Sequence, residues 1–303
     1  MNKTVLAVDL GGTNMRMAAV GSDGNILFQT RTSTPSDVNP GGLIGLFSRL
    51  AAECRDAIGH EYVICAIAAG VPANINSEGI LHNLPNLPSI EGMNLKSDLE
   101  REFGVPAVLE NDATAAAIGE DWLGASRSVK DSILLTLGTG VGGGIILGNL
   151  PVRGMDGTAG KIGHMNVEPE GVPCGCGSRG CIEQYASATA IVRLAREAGL
   201  DAATSQQVYE ARTAGDPKAT GVFNKVGYYL GITIGDLLNL LNPEMVLIGG
   251  GAAGAWDAFI EPMTAEIRER AFSEPVRRAQ IVRSELGDNA GILGAARSAL
   301  LSL

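Results

Sequence analysis

Three of the five cysteines, Cys174, Cys176 and Cys181, fall within eight residues, and one of the three histidines, His164, stands ten residues before the first of them. One neutral imidazole and three thiolates complete a tetrahedral Zn²⁺ shell with no position left for water, so a metal held there is structural. The competing reading is a thiol cluster without metal, with two of the thiols joined as a disulfide. The intervening glycines and Pro173 let the short loop fold back on itself. A second kind of chemistry is offered by Glu110-Asn111-Asp112, which follows the apolar run Val105 to Leu109. Ligands of open α/β sheets bind at the carboxyl ends of strands, which makes Asp112 a candidate base and Asn111 a hydrogen-bond partner. Capping of the following helix by Asp112 is the alternative, since Asp and Asn are favoured N-caps. A third kind is phosphate binding. Gly11-Gly12-Thr13 and Gly138-Thr139-Gly140 each present backbone N–H groups and a hydroxyl, which suits a phosphate as well as it suits a plain hairpin turn. Gly249 and Gly250 open a bare strand end that fits either a structural turn or a planar ring such as adenine.

The elements that must position these groups are legible as apolar runs. Thr4 to Leu10 reads as a buried strand that breaks at the first glycine turn and resumes as Met15 to Gly21. The stretch Ile133 to Gly148 repeats that device, strand, Gly/Thr turn, strand, and the repeat predicts two similar α/β domains facing each other. Leu43 to Ile58 and Leu95 to Phe103 read as helices, and Tyr62 to Val71 as a strand ending at Gly70-Val71-Pro72-Ala73. Ala113 to Trp122 is predicted as an alanine-rich helix, Ile182 to Ala198 as one helix after the cysteine loop, and Pro217 to Leu241 as a long helix. In the last of these Gly227, Gly231 and Gly235 form a stripe that admits another helix closely, inside the domain or across a dimer. Glu244 to Ile248 is a strand, Asp257 to Ala271 a helix, a strand lies near Ile281, and an Ala/Gly helix from Ala290 to Leu301 packs back on the first domain. The expected organisation is a small N-terminal α/β domain, 1–118, joined by the C-terminal helix 290–303, and a large C-terminal domain, 119–289, carrying the zinc loop 164–183.

With 303 residues the chain is long enough for two domains, and 41 glycines imply many tight turns and backbone-lined sites. The formal net charge is −10 and no basic patch stands out, which argues against nucleic acid. The few cysteines suit a reducing cytosol, and the N-terminus enters a strand without a signal peptide, so the expected location is cytoplasmic. Ser132 to Val152 is uncharged over 21 residues, but its six glycines read as a hairpin and not a membrane span.

DLGGTNMR (9–16), ENDATAAA (110–117), LGTGVGGG (137–144), GHM followed by CGCGSRGCIE (163–183) and VLIGGG (246–251) occur in this order over nearly the whole chain. This set resembles the ROK family of sugar kinases and repressors, with CGCGSRGCIE its most specific piece. CGSRGCIEQYASAT and ENDATAAAIGE point within the family to the ATP-dependent glucokinases. The resemblance implies an α/β, actin/hexokinase-like fold of two RNase H-like domains with a cleft between them. It implies transfer of the ATP γ-phosphate to the 6-hydroxyl of glucose, with Asp112 as general base. It places Asp9 as the outer ligand of Mg²⁺, Gly11, Gly12, Thr13, Gly138, Thr139 and Gly140 on the phosphates, and Gly249 and Gly250 beside the adenosine. Asn111, His164 and Glu183 are placed on the sugar, with His164 also on zinc alongside Cys174, Cys176 and Cys181. The partners expected are the sugar and ATP, in a homodimer or homotetramer.

Two departures bear on the sugar. The family pattern AGEIGH reads AGKIGH here, with Lys161 in place of a glutamate that accepts from hydroxyls near the anomeric end. An ammonium can only donate. Relatives often carry Gly-Pro after the proline of Gly70-Val71-Pro72, where this chain has Ala73 and Asn74. Both departures leave open a kinase for another hexose, such as N-acetylmannosamine, fructose or allose, or one using polyphosphate. A repressor is disfavoured because family repressors carry a DNA-binding segment before the first glycine turn, which here begins at Gly11. A sugar binder without activity is disfavoured because Asp112 and both glycine turns are intact.

Overall fold

A computed structural model describes residues 2–303. The chain divides into two compact units, the first made of residues 1–128, 150–160 and 288–303 and the second of 129–149 and 161–287. In the first unit, β1 (Asn2–Leu10), β2 (Asn14–Gly21) and β3 (Ile26–Ser33) form an antiparallel meander. Helix α1 (Pro40–Ile58), capped by Asn39, leads to β4 (Tyr62–Val71), which lies parallel to β1. A small hairpin follows, β5 (Asn74–Ile75) and β6 (Leu81–His82), then α2 (Leu95–Phe103), β7 (Ala107–Asn111) and α3 (Asp112–Leu123). β7 is parallel to β4, giving the sheet order β3–β2–β1–β4–β7. Leu6, Val8 and Leu10 of β1 and Phe47, Leu50 and Ala51 of α1 are fully buried in one cluster, as the uninterrupted apolar runs require.

The second unit repeats the plan. Strands β8 (Ser132–Leu137) and β9 (Val141–Leu147) form a hairpin around the second glycine turn; the short β10 (Leu150–Pro151) that follows in the chain is counted with the first unit. Helices α4 (Glu183–Ala186), α5 (Ala188–Glu197), α6 (Ser205–Thr213) and α7 (Pro217–Leu241) precede β11 (Met245–Gly249). Helices α8 (Trp256–Arg270) and α9 (Ser273–Arg278) lead to β12 (Gln280–Arg283); β11 runs parallel to β8, and β12 parallel to β11. The predicted helix 182–198 is broken at Ser187, whose extended backbone (ψ 160°) ends α4 while its hydroxyl caps α5 through the Ala190 N–H. The stripe of α7 is filled from within the unit. A Cβ at Gly227 would stand 2.6 Å from the Phe259 carbonyl and the Pro262 ring of α8, and one at Gly231 would stand 2.8 Å from the Met263 carbonyl. It therefore gives no ground for a dimer.

The chain returns to the first unit in α10 (Ala290–Ser302), which packs on α3. The two helices meet through glycine: a side chain on Gly294 would enter the shell of the Ala115 carbonyl, and one on Gly119 that of Ala290. The expected domain boundary at 118 falls inside α3, and this contact keeps the whole helix in the first unit. Residues 150–160 also belong there, tied down by an ion pair between Arg153 and the buried Glu110 of β7.

Candidate active site

The parallel pairing of β1, β4 and β7 sets Asp9, Gly70 and Glu110 in one register row at the carboxyl ends of the strands. Chain continuity then puts Asn111 at the last position of β7 and Asp112 at the first of α3. The helix is capped by Asn111, whose Oδ1 accepts from Ala113 N (3.2 Å) and Thr114 N (3.4 Å). The Asp112 carboxylate accepts from Ala113 N at 2.8 Å, so it sits at the positive end of α3 without being its cap. Of the two local roles weighed for Asp112, the N-cap belongs to its neighbour. Gly70 faces the start of α3, its Cβ position 3.8 Å from the Asp112 Cα and 3.4 Å from the Ala115 Cβ, which is ordinary packing distance.

Asn111 also donates from Nδ2 to the Ala73 carbonyl at 3.3 Å. Ala73 is 2 % exposed and its N–H donates to the Val71 carbonyl at 2.8 Å. Ala73 thus anchors the end of β4 through its backbone, with its methyl group buried. Asn74 lies in β5 opposite His82, half-buried. A cavity of about 370 Å³ runs beside β7, lined among others by Asn76, Lys96, Asn111, Thr114 and Asp156.

Asp9 is held by Arg16, its cross-strand partner in β2, with 2.6 Å between Nη2 and Oδ2. Sequence reasoning passed over Arg16, although DLGGTNMR contains it and a tight hairpin turn brings the two residues opposite each other. Within the first glycine turn the Gly11 N–H donates to the Asn14 carbonyl and the Thr34 N–H to the Thr13 carbonyl, both at 2.8 Å. A Cβ on Gly12 would touch that of Asn86 at 2.8 Å, so the turn rests on the 83–88 loop.

In the second unit the Gly138 N–H donates to the Gly140 carbonyl at 2.9 Å. The turn is tied from outside: Ala188 N–H donates to the Gly138 carbonyl and the Thr189 hydroxyl to the Thr139 carbonyl, both at 2.8 Å. Thr139 and Thr189 also line a cavity of about 500 Å³ with Val192, Arg193, Ala203 and Thr204. Gly250 (φ +84°) lies against the end of β8, where a Cβ would stand 2.6 Å from the Leu137 carbonyl oxygen, and Gly249 is buried. Gly250 and Gly251 are both exposed, and Gly251 has nothing near its Cβ position.

The ligand atoms of His164, Cys174, Cys176 and Cys181 all lie within 4.8 Å of one another. Cys176 and Cys181 have their sulfurs 3.7 Å apart, and Cys174 Sγ is 3.7 Å from His164 Nδ1. Two thiolates at about 2.3 Å from one tetrahedral ion are themselves about 3.8 Å apart, so the donors fit Zn²⁺ in number, type and spacing. Without metal, burial pushes the Cys181 thiol up to about 12, whereas a hydrogen bond from the Ser178 backbone holds Cys176 below the usual thiol value. Zinc would replace the proton on the buried thiol. Nδ1 of His164 faces the sulfurs, and the residue is exposed, which leaves Nε2 to solvent or a ligand. Lys161 stands immediately before the short 3₁₀ turn Ile162–His164, and its carbonyl accepts the His164 N–H at 3.0 Å. Glu183 turns towards the glycine turn, with its Oε2 accepting from Val141 N at 3.1 Å and its Oε1 3.9 Å from Cys174 Sγ.

Two sheets of the same plan, each with a strand–glycine turn–strand hairpin and a parallel continuation, define an actin/hexokinase-like protein of two RNase H-like units. The ROK family model matches residues 5–301, and the chain belongs to that family. It is 35% identical to a glucokinase of Halalkalibacterium halodurans, over 95% of this chain and 92% of that one. It is 29% identical to a xylose repressor of Caldicellulosiruptor bescii, over 96% of this chain and 76% of the repressor. Among solved structures it superposes with a TM-score of 0.82 on a ROK glucokinase of Streptomyces griseus in complex with glucose and AMPPNP, at 32% identity, covering 97% of this chain and 98% of that one. No helix among the described residues is long and apolar enough to cross a membrane.

Proposed function

We propose that this chain is an ATP-dependent hexose kinase that transfers the γ-phosphoryl group to the 6-hydroxyl of glucose. The observation that carries the reading is the placement of Asp112: a carboxylate at a strand end and helix start, relieved of the capping duty by Asn111. In this reading Asp112 accepts the proton of the sugar hydroxyl as the hydroxyl attacks phosphorus, and Asn111 and the outer face of His164 orient the ring. A loose phosphoryl-transfer transition state asks for alignment and charge neutralisation more than for a strong base. Asp9, steadied by Arg16, would hold Mg²⁺, which when bound with ATP neutralises charge on the phosphates. In this reading Gly12, Thr13 and the 138–140 turn would donate backbone N–H groups to phosphate oxygens. The cavity beside Thr139 and the bare backbone at Gly251 offer room for the nucleoside. His164, Cys174, Cys176 and Cys181 would hold structural zinc. Glucokinase relatives that share nearly the full length of the chain support the same assignment.

A kinase for another hexose is the second reading, favoured by Lys161 where family members carry a glutamate. The test is a phosphorylation panel with Mg·ATP and glucose, mannose, fructose, allose, N-acetylglucosamine and N-acetylmannosamine. The highest kcat/KM on glucose supports the glucokinase, a preference for another sugar supports the second reading, and transfer to none refutes both.

A further inference from the structure

The zinc loop and the second glycine turn meet at one residue, Val141, the first of β9. Its N–H is accepted by Glu183 Oε2 at 3.1 Å. On its other side Gly163, the neighbour of His164, lies so close that any side chain there would enter the shell of the Val141 carbonyl. The Glu183 carboxylate lies directly against Gly140, whose Cβ position is 3.2 Å from the Glu183 Cδ, so a side chain there would push the carboxylate aside. The same carboxylate, through Oε1, lies 3.9 Å from Cys174 Sγ. Thus both ends of the four-ligand cluster close on the strand that issues from the turn. The segment that leaves the cluster ties that turn from outside at three residues, Glu183, Ala188 and Thr189.

We infer that Glu183 is a positioning residue for the nucleotide, coupling the metal loop to the 138–140 turn. The inference rests on the reading that this turn holds phosphates. Its logic is local. A glycine turn has little stiffness of its own, and its N–H groups bind phosphate well only if their directions are fixed beforehand. Zinc fixes the loop, the loop fixes the Glu183 carboxylate, and the carboxylate fixes the backbone at Gly140-Val141. The role differs from contact with the sugar because the group held is a main-chain amide on the phosphate side.

The test is binding of Mg·AMPPNP, without sugar, to the whole protein by calorimetry. It compares the wild type, Glu183→Ala and Glu183→Gln, each with zinc and after chelation, with circular dichroism as the fold control. Gln keeps an oxygen that accepts from Val141, whereas Ala removes it. The expected result is a Kd about 10-fold weaker for Glu183→Ala, within about 3-fold of wild type for Glu183→Gln, and about 10-fold weaker for the wild type after chelation. Chelation of Glu183→Ala should add less than about 3-fold, since the link is already cut. Nucleotide Kd within about 2-fold of wild type in both Glu183→Ala and the chelated wild type overturns the inference, whatever happens to sugar affinity. If Glu183→Ala does not fold, the chelated wild type decides alone. A wild type that binds no nucleotide overturns the kinase reading itself and the inference with it.

Discussion

Replacement of Asp112 by asparagine separates its chemistry from its structural part. The amide would keep an oxygen where the Asp112 Oδ1 now accepts from Ala113 N at 2.8 Å, and the Asn111 cap is untouched. The fold loses only the attraction between a carboxylate and the helix N-terminus, about 0.3–1 kcal/mol. The reaction loses its proton acceptor, because an amide oxygen cannot take the hydroxyl proton at neutral pH. General base catalysis of this kind contributes about 10²–10⁴-fold, or about 3–5 kcal/mol of barrier. Steady-state kinetics with Mg·ATP and glucose should therefore show kcat reduced by at least about 100-fold. The KM for ATP should move by less than about 3-fold, and the thermal midpoint by only a few degrees. A variant that keeps a tenth or more of the wild-type kcat would refute the assignment of Asp112 as base. A variant that is inactive because it has unfolded would refute the claim that Asn111 alone carries the cap.

Asn111→Ala removes a cap worth about 1 kcal/mol and also frees the Ala73 carbonyl, so denaturant unfolding should show a loss of about 1–2 kcal/mol together with a raised sugar KM. Gly294→Ala should cost about 3 kcal/mol or more in the same assay, because the new methyl must push α10 off the Ala115 carbonyl. Lys161→Glu restores an acceptor before His164 and should lower the glucose KM several-fold; an unchanged or higher KM would show that Lys161 does not limit sugar affinity. If His164, Cys174, Cys176 and Cys181 hold zinc, a chelator should lower the thermal midpoint, since four donors, two of them buried, would lose their common partner; an unchanged midpoint would count against the metal.

The motifs are readable because each couples a residue type to a backbone need. Glycine turns between apolar strands, an acid after a strand and a closed set of metal donors all declare themselves locally. The repeat of strand, turn and strand likewise announces two sheets of one plan. What stays hidden depends on distant partners. The short helices α6 and α9 bury little of their own surface, with Val208 the buried residue of α6 and none in α9, so neither carries a strong apolar period. The break at Ser187 looks like continuous helix in sequence because Ser is tolerated inside helices as well as at caps. β7 extends two residues beyond the apolar run, since Glu110 is paired with Arg153, 43 positions away, and can be buried. The glycine stripe of α7 reads correctly as a helix-docking face, but only the fold shows that α8 occupies it.

The first unit is assembled from three separate stretches of chain, and the last of them contains α10. This helix lies on α3 and also against β1 and β4, so it covers strands that are made long before it. During synthesis the sheet of the first unit leaves the ribosome early yet lacks its cover until residues 290–302 emerge, after the second unit has been translated. At about 5–20 residues per second, the apolar face of β1 and β4 would wait some ten seconds or longer for its partner. The order of translation is thus the reverse of the order of completion: the unit begun first is closed last.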